Sequence, residues 1–177
     1  MKMSSKLITA VFITAALFLT TNVNAQTTPA KALIFSAGAD AGIPTGNLTI
    51  GSDFSLGGTL RLQYGITNNF AITLTSGADH FFSKIDPATG QRFDSFGVIP
   101  IKAGIKEFFV PNIYFGIEGG VAFEETDNGV GNTKTLISPA VGWGNKRWDV
   151  GIRYDSYLGQ NDPYGLVVLR VAYGFTL

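Results

Sequence analysis

The chain has 177 residues, 22 of them glycine and 14 phenylalanine, and only 15% are charged, where soluble domains average about 25%. Its 13 basic and 13 acidic side chains balance and no basic stretch stands out, so nucleic acid is not an expected partner. The absence of cysteine excludes disulfides, zinc–thiolate sites and thiol chemistry.

Residues 1–25 read as a cleaved secretory signal peptide. Lys2 and Lys6 give a positive start, Leu7 to Leu19 an apolar run broken only by small residues, and Val23 and Ala25 a small-residue cleavage site. The run falls short of the roughly 20 residues that a spanning helix needs. No cysteine follows it, so lipid attachment of the bacterial lipoprotein kind is not expected. A cut after Ala25 leaves eleven basic against thirteen acidic residues and about 150 residues, enough for one domain. Residues 26–32 are then a short periplasmic N-terminal segment and 33–177 the folded domain. No second stretch is long and apolar enough to cross a bilayer as a helix, so a membrane reading must use strands.

Period-two alternation marks eight segments in chain order. Leu33 to Ile43 places Leu33, Phe35, Ala37, Ala39, Ala41 and Ile43 on one face. Leu56 to Ile66 shows Leu60, Leu62, Tyr64 and Ile66, and Phe70 to Phe81 shows Phe70, Ile72 and Leu74. Phe96 to Phe108 carries Ile99, Ile101, Ala103 and Ile105, and Ile113 to Phe123 carries Ile113, Phe115, Ile117, Val121 and Phe123. Thr135 to Trp143 shows Ile137, Val141 and Trp143; Trp148 to Leu158 shows Trp148, Val150, Ile152 and Tyr154. The last segment, Gly165 to Leu177, alternates from Val167 to the end. Pro100 and Pro139 fall inside the fourth and sixth, where each is expected to forfeit a ladder bond or mark a bulge.

The connections alternate in length. Thr67–Asn69, Val110–Asn112 and Asn145–Lys146 are tight turns, whereas "PTGNLTIGSDFS", "SKIDPATGQRFDS", "EETDNGVGNTK" and "GQNDPYG" read as longer polar loops. An even strand number with short turns at one end and long loops at the other is the layout of a bacterial outer-membrane barrel. Open sheet edges cannot face lipid, so an all-β, eight-stranded, antiparallel up-and-down transmembrane barrel is expected.

With the apolar face outward, the opposite parity lines the interior: Asp40, Arg61, Gln63, Lys102, Lys106, Glu118, Arg153, Asp155 and Arg170. Asp40, Arg61, Lys102, Glu118, Arg153 and Arg170 fall about five to seven residues from the short-turn ends, which predicts one charged layer near mid-membrane. Four cations against two anions is unbalanced, and Asp155, Asp79 or water is expected to join them. Tyr64, Phe70, Trp143, Trp148 and Tyr173 all lie at short-turn ends, as an aromatic girdle at one interface would.

These features, above all "LRLQYGITNNFAITL" with its tight hairpin turn and the closing "VAYGFTL", resemble the small outer-membrane β-barrel proteins, the OmpX-like and OmpA-barrel-like group. The resemblance spans the whole chain after the signal peptide. It implies an integral outer-membrane protein of a Gram-negative bacterium with both termini in the periplasm and four loops outside. It also implies contact with outer-membrane lipid and lipopolysaccharide, and insertion by the barrel-assembly machinery through a C-terminal signal, here Tyr173, Phe175 and Leu177. The terminal Leu177 stands where such proteins usually carry an aromatic residue.

No phosphate loop, dinucleotide fingerprint or metal spacing is present; "GNTKT" lacks the first glycine and the following helix of a phosphate loop and reads as surface loop. The one histidine, His80, stands beside Asp79 and near Ser83, an arrangement that some lipid hydrolases of this membrane use; strand parity puts Phe82, not Ser83, beside it, which favours an interfacial contact over catalysis. Glu124, Glu125 and Asp127 form an acidic run that could hold a divalent cation but more often is a solvated loop. The expected protein is therefore a non-catalytic outer-membrane barrel without cofactor or metal, its interior plugged by charge. Its exposed loops would meet an unknown extracellular ligand, in adhesion or envelope integrity. Two alternatives stand: a narrow small-solute channel, with Gly57, Gly65, Gly104, Gly116, Gly120, Gly142 and Gly174 leaving room inside, and a soluble periplasmic lipocalin-like barrel with its apolar face turned inward.

Overall fold

The computed structural model describes residues 29–85, 90, 91, 93, 95–126, 129–159 and 163–177; residues 1–25, expected from the sequence to be a signal peptide, lie outside them. Eight strands follow one another: β1 (Leu33–Gly46), β2 (Ser52–Gly65), β3 (Phe70–Ser83), β4 (Phe96–Val110), β5 (Ile113–Thr126), β6 (Gly129–Gly144), β7 (Trp148–Leu158) and β8 (Tyr164–Thr176). Each pairs antiparallel with the next and β8 pairs with β1, closing the barrel. A single 3-10 turn, Asn47–Ile50, joins β1 to β2.

Closure has a measurable register. The pairs run Phe35, Leu62, Leu74, Ala103, Gly119, Ile137, Ser156, Gly165 and return to β1 at Thr45, ten residues beyond the start. With ordinary strand spacings, eight strands at that stagger tilt by about 40° and enclose a space roughly 17 Å across between backbones. Such a lumen is filled by the side chains that point into it. Pro100 and Pro139 each sit where one ladder breaks. The β3–β4 pairs stop at Ser76–Ile101 and resume at Asp79–Val98, skipping Pro100, and the β6–β7 pairs stop at Ile137–Ser156 and resume at Ala140–Arg153, skipping Pro139.

Only β7 has the limits that alternation predicts; the other strands differ mainly at the long-loop end, where most run further. The "EETDNGVGNTK" segment is largely ladder: after a bulge beyond Phe123, Glu125 pairs with Val130 and Thr126 with Gly129. "GNTKT" is accordingly strand β6 and not loop, and Lys134 within it is buried.

The apolar face points out. Leu74 is 51% exposed and Leu169 48%, whereas Arg170 between β8's apolar residues is 3% exposed. A lipocalin-like barrel would show the reverse, so the inward-apolar alternative is overturned. Inward glycines make room, but not for solvent. An added Cβ at Gly104 would lie 2.6 Å from the Cα of Glu118, one at Gly142 would lie 2.6 Å from the Tyr114 ring, and one at Gly57 would strike the Asp79 carboxylate.

Gly120 and Gly119 test this packing from opposite faces. A Cβ at Gly120 would sit 2.8 Å from the Cα of Lys102, so Gly120→Ala is expected to destabilise by about 1–3 kcal/mol through backbone displacement. At Gly119 the nearest atom is 3.9 Å away, and Gly119→Ala should stay within about 0.5 kcal/mol. Urea midpoints in detergent, read from the mobility difference of boiled and unboiled protein, compare the two.

Candidate functional site: the barrel interior

Every interior charge expected from parity is buried: Asp40, Arg61, Lys102, Lys106, Glu118, Arg153, Asp155 and Arg170, each less than a tenth exposed. They form a continuous network. Arg61 donates to Glu118 at 3.1 Å, and Lys102 lies 3.7 Å from the same carboxylate and 3.5 Å from Asp155. Arg153 bridges Asp155 at 2.8 Å and Asp40 at 2.9 Å. Thr59 donates to Asp40 at 3.4 Å and accepts from Arg170 at 2.9 Å. Arg170 also reaches Ser36 at 3.3 Å and Asp149 at 3.4 Å, and Asp149 takes Lys106 as well. Asp40 and Arg170 face each other across β1 and β8, yet Asp40 pairs with Arg153 from the adjacent strand β7 while Arg170 turns to Asp149.

Neutral groups complete the satisfaction that buried charge demands. Thr73 and Thr75 donate to Glu118 at 2.8 and 2.7 Å, and Ser138 receives Lys102 at 3.3 Å. Tyr114 donates to Asp149 at 2.9 Å, and its ring lies 3.8 Å under the Lys106 ammonium. Among the described residues, four buried polar atoms, Asp79 Oδ2, Glu107 Oε2, Arg153 Nη2 and Tyr157 OH, have no hydrogen-bond partner. A cavity of about 10 Å³ beside Arg61, Thr73, Lys106, Tyr114 and Glu118 has room for one water.

Asp149 is the anion that the sequence reading missed, and it does more to balance the layer than Asp79. Its parity with Gly151 and Arg153 was the available signal; its place one residue after a turn hid it. Also missed was the upper interior, which is largely aromatic and aliphatic. Phe81 and Phe96 stack at 4.6 Å, Tyr157 and Tyr164 at 4.6 Å, and Val98, Ala122, Leu136, Leu166 and Val168 pack with them. Leu48 of the 3-10 turn lies against this cap, and Lys84 holds the turn by donating to the Thr49 carbonyl at 2.9 Å while pairing with Asp53. Tyr164 donates to Glu124 at 2.7 Å. At the short-turn end Phe108 and Tyr114 meet edge to face at 5.6 Å.

The remaining candidates separate by face. Tyr64, Trp143 and Trp148 are exposed on the outside near the short turns, with Phe70 and Tyr173 half-buried there. Phe175 is exposed on the outer face of β8, and the Leu177 N–H donates to Leu33 at 2.9 Å. His80 points outward, edge to face with Phe82 at 4.9 Å, while Asp79 points inward, so the two cannot act on one substrate group. Ser83 instead accepts a bond from Ser95. The acidic run is split likewise: Glu124 faces in and Glu125 out, which removes it as a ligand cluster, and Asp127 lies outside the described residues.

Glu118→Gln strips the counter-charge from Arg61 and Lys102 together. It is expected to cost about 3–5 kcal/mol in urea unfolding from micelles, the penalty of leaving a buried pair half-made. Asp53→Asn breaks a surface pair with Lys84 and should cost less than about 1 kcal/mol in the same measurement.

No protein-family profile matches the sequence, and a search of curated proteins finds no match. Solved structures do match. Neisserial surface protein A aligns over 82% of this chain and 97% of its own, at 15% identity and a TM-score of 0.60. Ail, the attachment invasion locus protein of Yersinia pestis, aligns over 82% and 99% at 14% identity and a TM-score of 0.53. The outer membrane protein OprG from Pseudomonas aeruginosa aligns over 86% and 99% at 11% identity and a TM-score of 0.52. At these identities the likeness is one of fold, and it agrees with the closed register and the apolar exterior. The chain is an eight-stranded β-barrel of the outer-membrane type, its apolar face turned to lipid and its charges turned inward.

Proposed function

We propose that this barrel is closed to solutes and acts at its exposed rim, in adhesion or envelope integrity, without catalysis. The observation that carries the reading is the continuous network of ion pairs and hydrogen bonds in the lower lumen, roofed by the aromatic cap. A channel needs a connected water path, and the interior side chains instead bond one another. In this reading residues 1–25 are removed on export, and the short turns face the periplasm as the general layout of such barrels requires. Tyr64, Phe70, Trp143, Trp148 and Tyr173 then form the girdle of the periplasmic leaflet, and Tyr173, Phe175 and Leu177 present the insertion signal to the assembly machinery. The rim is built by the β5–β6 hairpin and the strapped 3-10 turn, where lipopolysaccharide and an extracellular ligand would be met. The attachment role in the name of the Yersinia protein, which shares this fold, agrees with a function at the rim.

Planar-bilayer recording tests the closed lumen. The protein, refolded and shown to shift on boiling, is expected to give no stable current steps. Stable single-channel steps would overturn the plugged reading in favour of a narrow channel.

A further inference from the structure

Both tryptophans of the chain, Trp143 and Trp148, stand on the outer face of β6 and β7, flanking the Asn145–Lys146–Arg147 turn. This turn carries two adjacent cations, whereas the other two short turns, Thr67–Asn69 and Pro111–Asn112, carry none. Its backbone is fixed. The Asn145 side-chain oxygen accepts from the N–H groups of Arg147 and Trp148, both at 2.8 Å, and the Arg147 carbonyl accepts from Gly174 of β8 at 2.6 Å. Lys146 and Arg147 remain exposed. The nearest carboxylate in sequence, Asp149, points the other way, bound inside the barrel by Lys106, Tyr114 and Arg170.

The surroundings are those of a lipid contact. Trp143 is 40% and Trp148 48% exposed, and Trp148 meets Tyr173 edge to face at 5.1 Å, with Phe175 a further 5.0 Å along. Indole rings favour the zone where one end is apolar and the other wet. In the turn between them, the guanidinium of Arg147 offers a planar fork that suits phosphate and the Lys146 ammonium a second donor. Two cations that make no ion pair among the described residues favour a headgroup with net negative charge over a zwitterion, whose own cation they repel.

We propose that the Asn145–Arg147 turn is a binding site for the headgroup phosphate of an anionic phospholipid in the leaflet at the short-turn end. The site rests on the membrane placement given above. Because the chain has no other tryptophan, its fluorescence reports the lipid at this turn. The mature barrel is reconstituted in phosphatidylcholine vesicles in which a small, equal fraction of either phosphatidylglycerol or phosphatidylcholine carries brominated tails, which quench indole on contact. Brominated phosphatidylglycerol is expected to quench as if enriched about threefold beside the turn. The excess should vanish in a Lys146→Gln, Arg147→Gln double variant and shrink in high salt. Both positions lie outside the ladder, and the shift on boiling verifies that the variant folds. Equal quenching by the two headgroups, or an excess that survives the double variant, overturns the inference and leaves the membrane placement standing. No quenching by either lipid overturns the membrane placement itself.

Discussion

A sheet that meets hydrocarbon can have no free edge, and this one constraint organises the molecule. Each unpaired backbone group in lipid would cost several kcal/mol, so β8 must close on β1. Closing eight strands at a stagger of ten fixes the tilt and the width, and the width admits side chains but little else. Polar groups that face inward therefore have only one another. The same argument explains why most apolar residues can be spent on the outer face: the lower lumen needs complementarity more than it needs grease.

The interior meets that demand in two ways, one above the other. In the lower part, charges and hydroxyls alternate so that each carboxylate is shared: Glu118 serves Arg61, Lys102 and two threonines, and Asp149 serves Lys106, Arg170 and Tyr114. In the upper part, rings and aliphatic side chains pack as a small core inside the barrel. The division is physical. Charge is tolerable where partners arrive from several strands, and rings exclude water where the barrel opens toward the loops. Inward glycines belong to this packing, because the long side chains lie across the space they leave.

Alternation made the middle of each strand readable, since lipid on one side and a polar lumen on the other enforce opposite chemistry at successive residues. It fails where lipid ends. Beyond the bilayer the outward face can be polar, as Glu125 and Thr133 are, and a hydrogen-bonded strand then has the composition of a loop. The aromatic cap was hidden for a related reason. Phe81, Leu136 and Leu166 occupy inward positions with apolar side chains, so they look like a lapse in the pattern, while they are a second solution to filling the lumen. Strand β7 was delimited correctly because Asn145–Lys146 and Gly159 punctuate both its ends. Asp149 needed no new principle, only the extension of parity to the residue next to a turn.

The interior network also says something about assembly. Its bonds join residues remote in the chain: Ser36 to Arg170 spans 134 positions, Asp40 to Arg153 spans 113, and Thr59 to Arg170 spans 111. Contacts of this range form late, because the loop between their ends must be closed first. Until β7 and β8 arrive, Asp40 and Thr59 have water for company, and an incomplete barrel holds a hydrated, charged trough that lipid cannot cover. The final zipper of β8 onto β1 thus performs two operations at once, sealing the hydrogen-bonded wall and converting a solvated electrolyte into a dry, mutually neutralised filling. Insertion and desolvation become a single all-or-none event, so that a chain lacking its last strand forfeits the interior along with the edge.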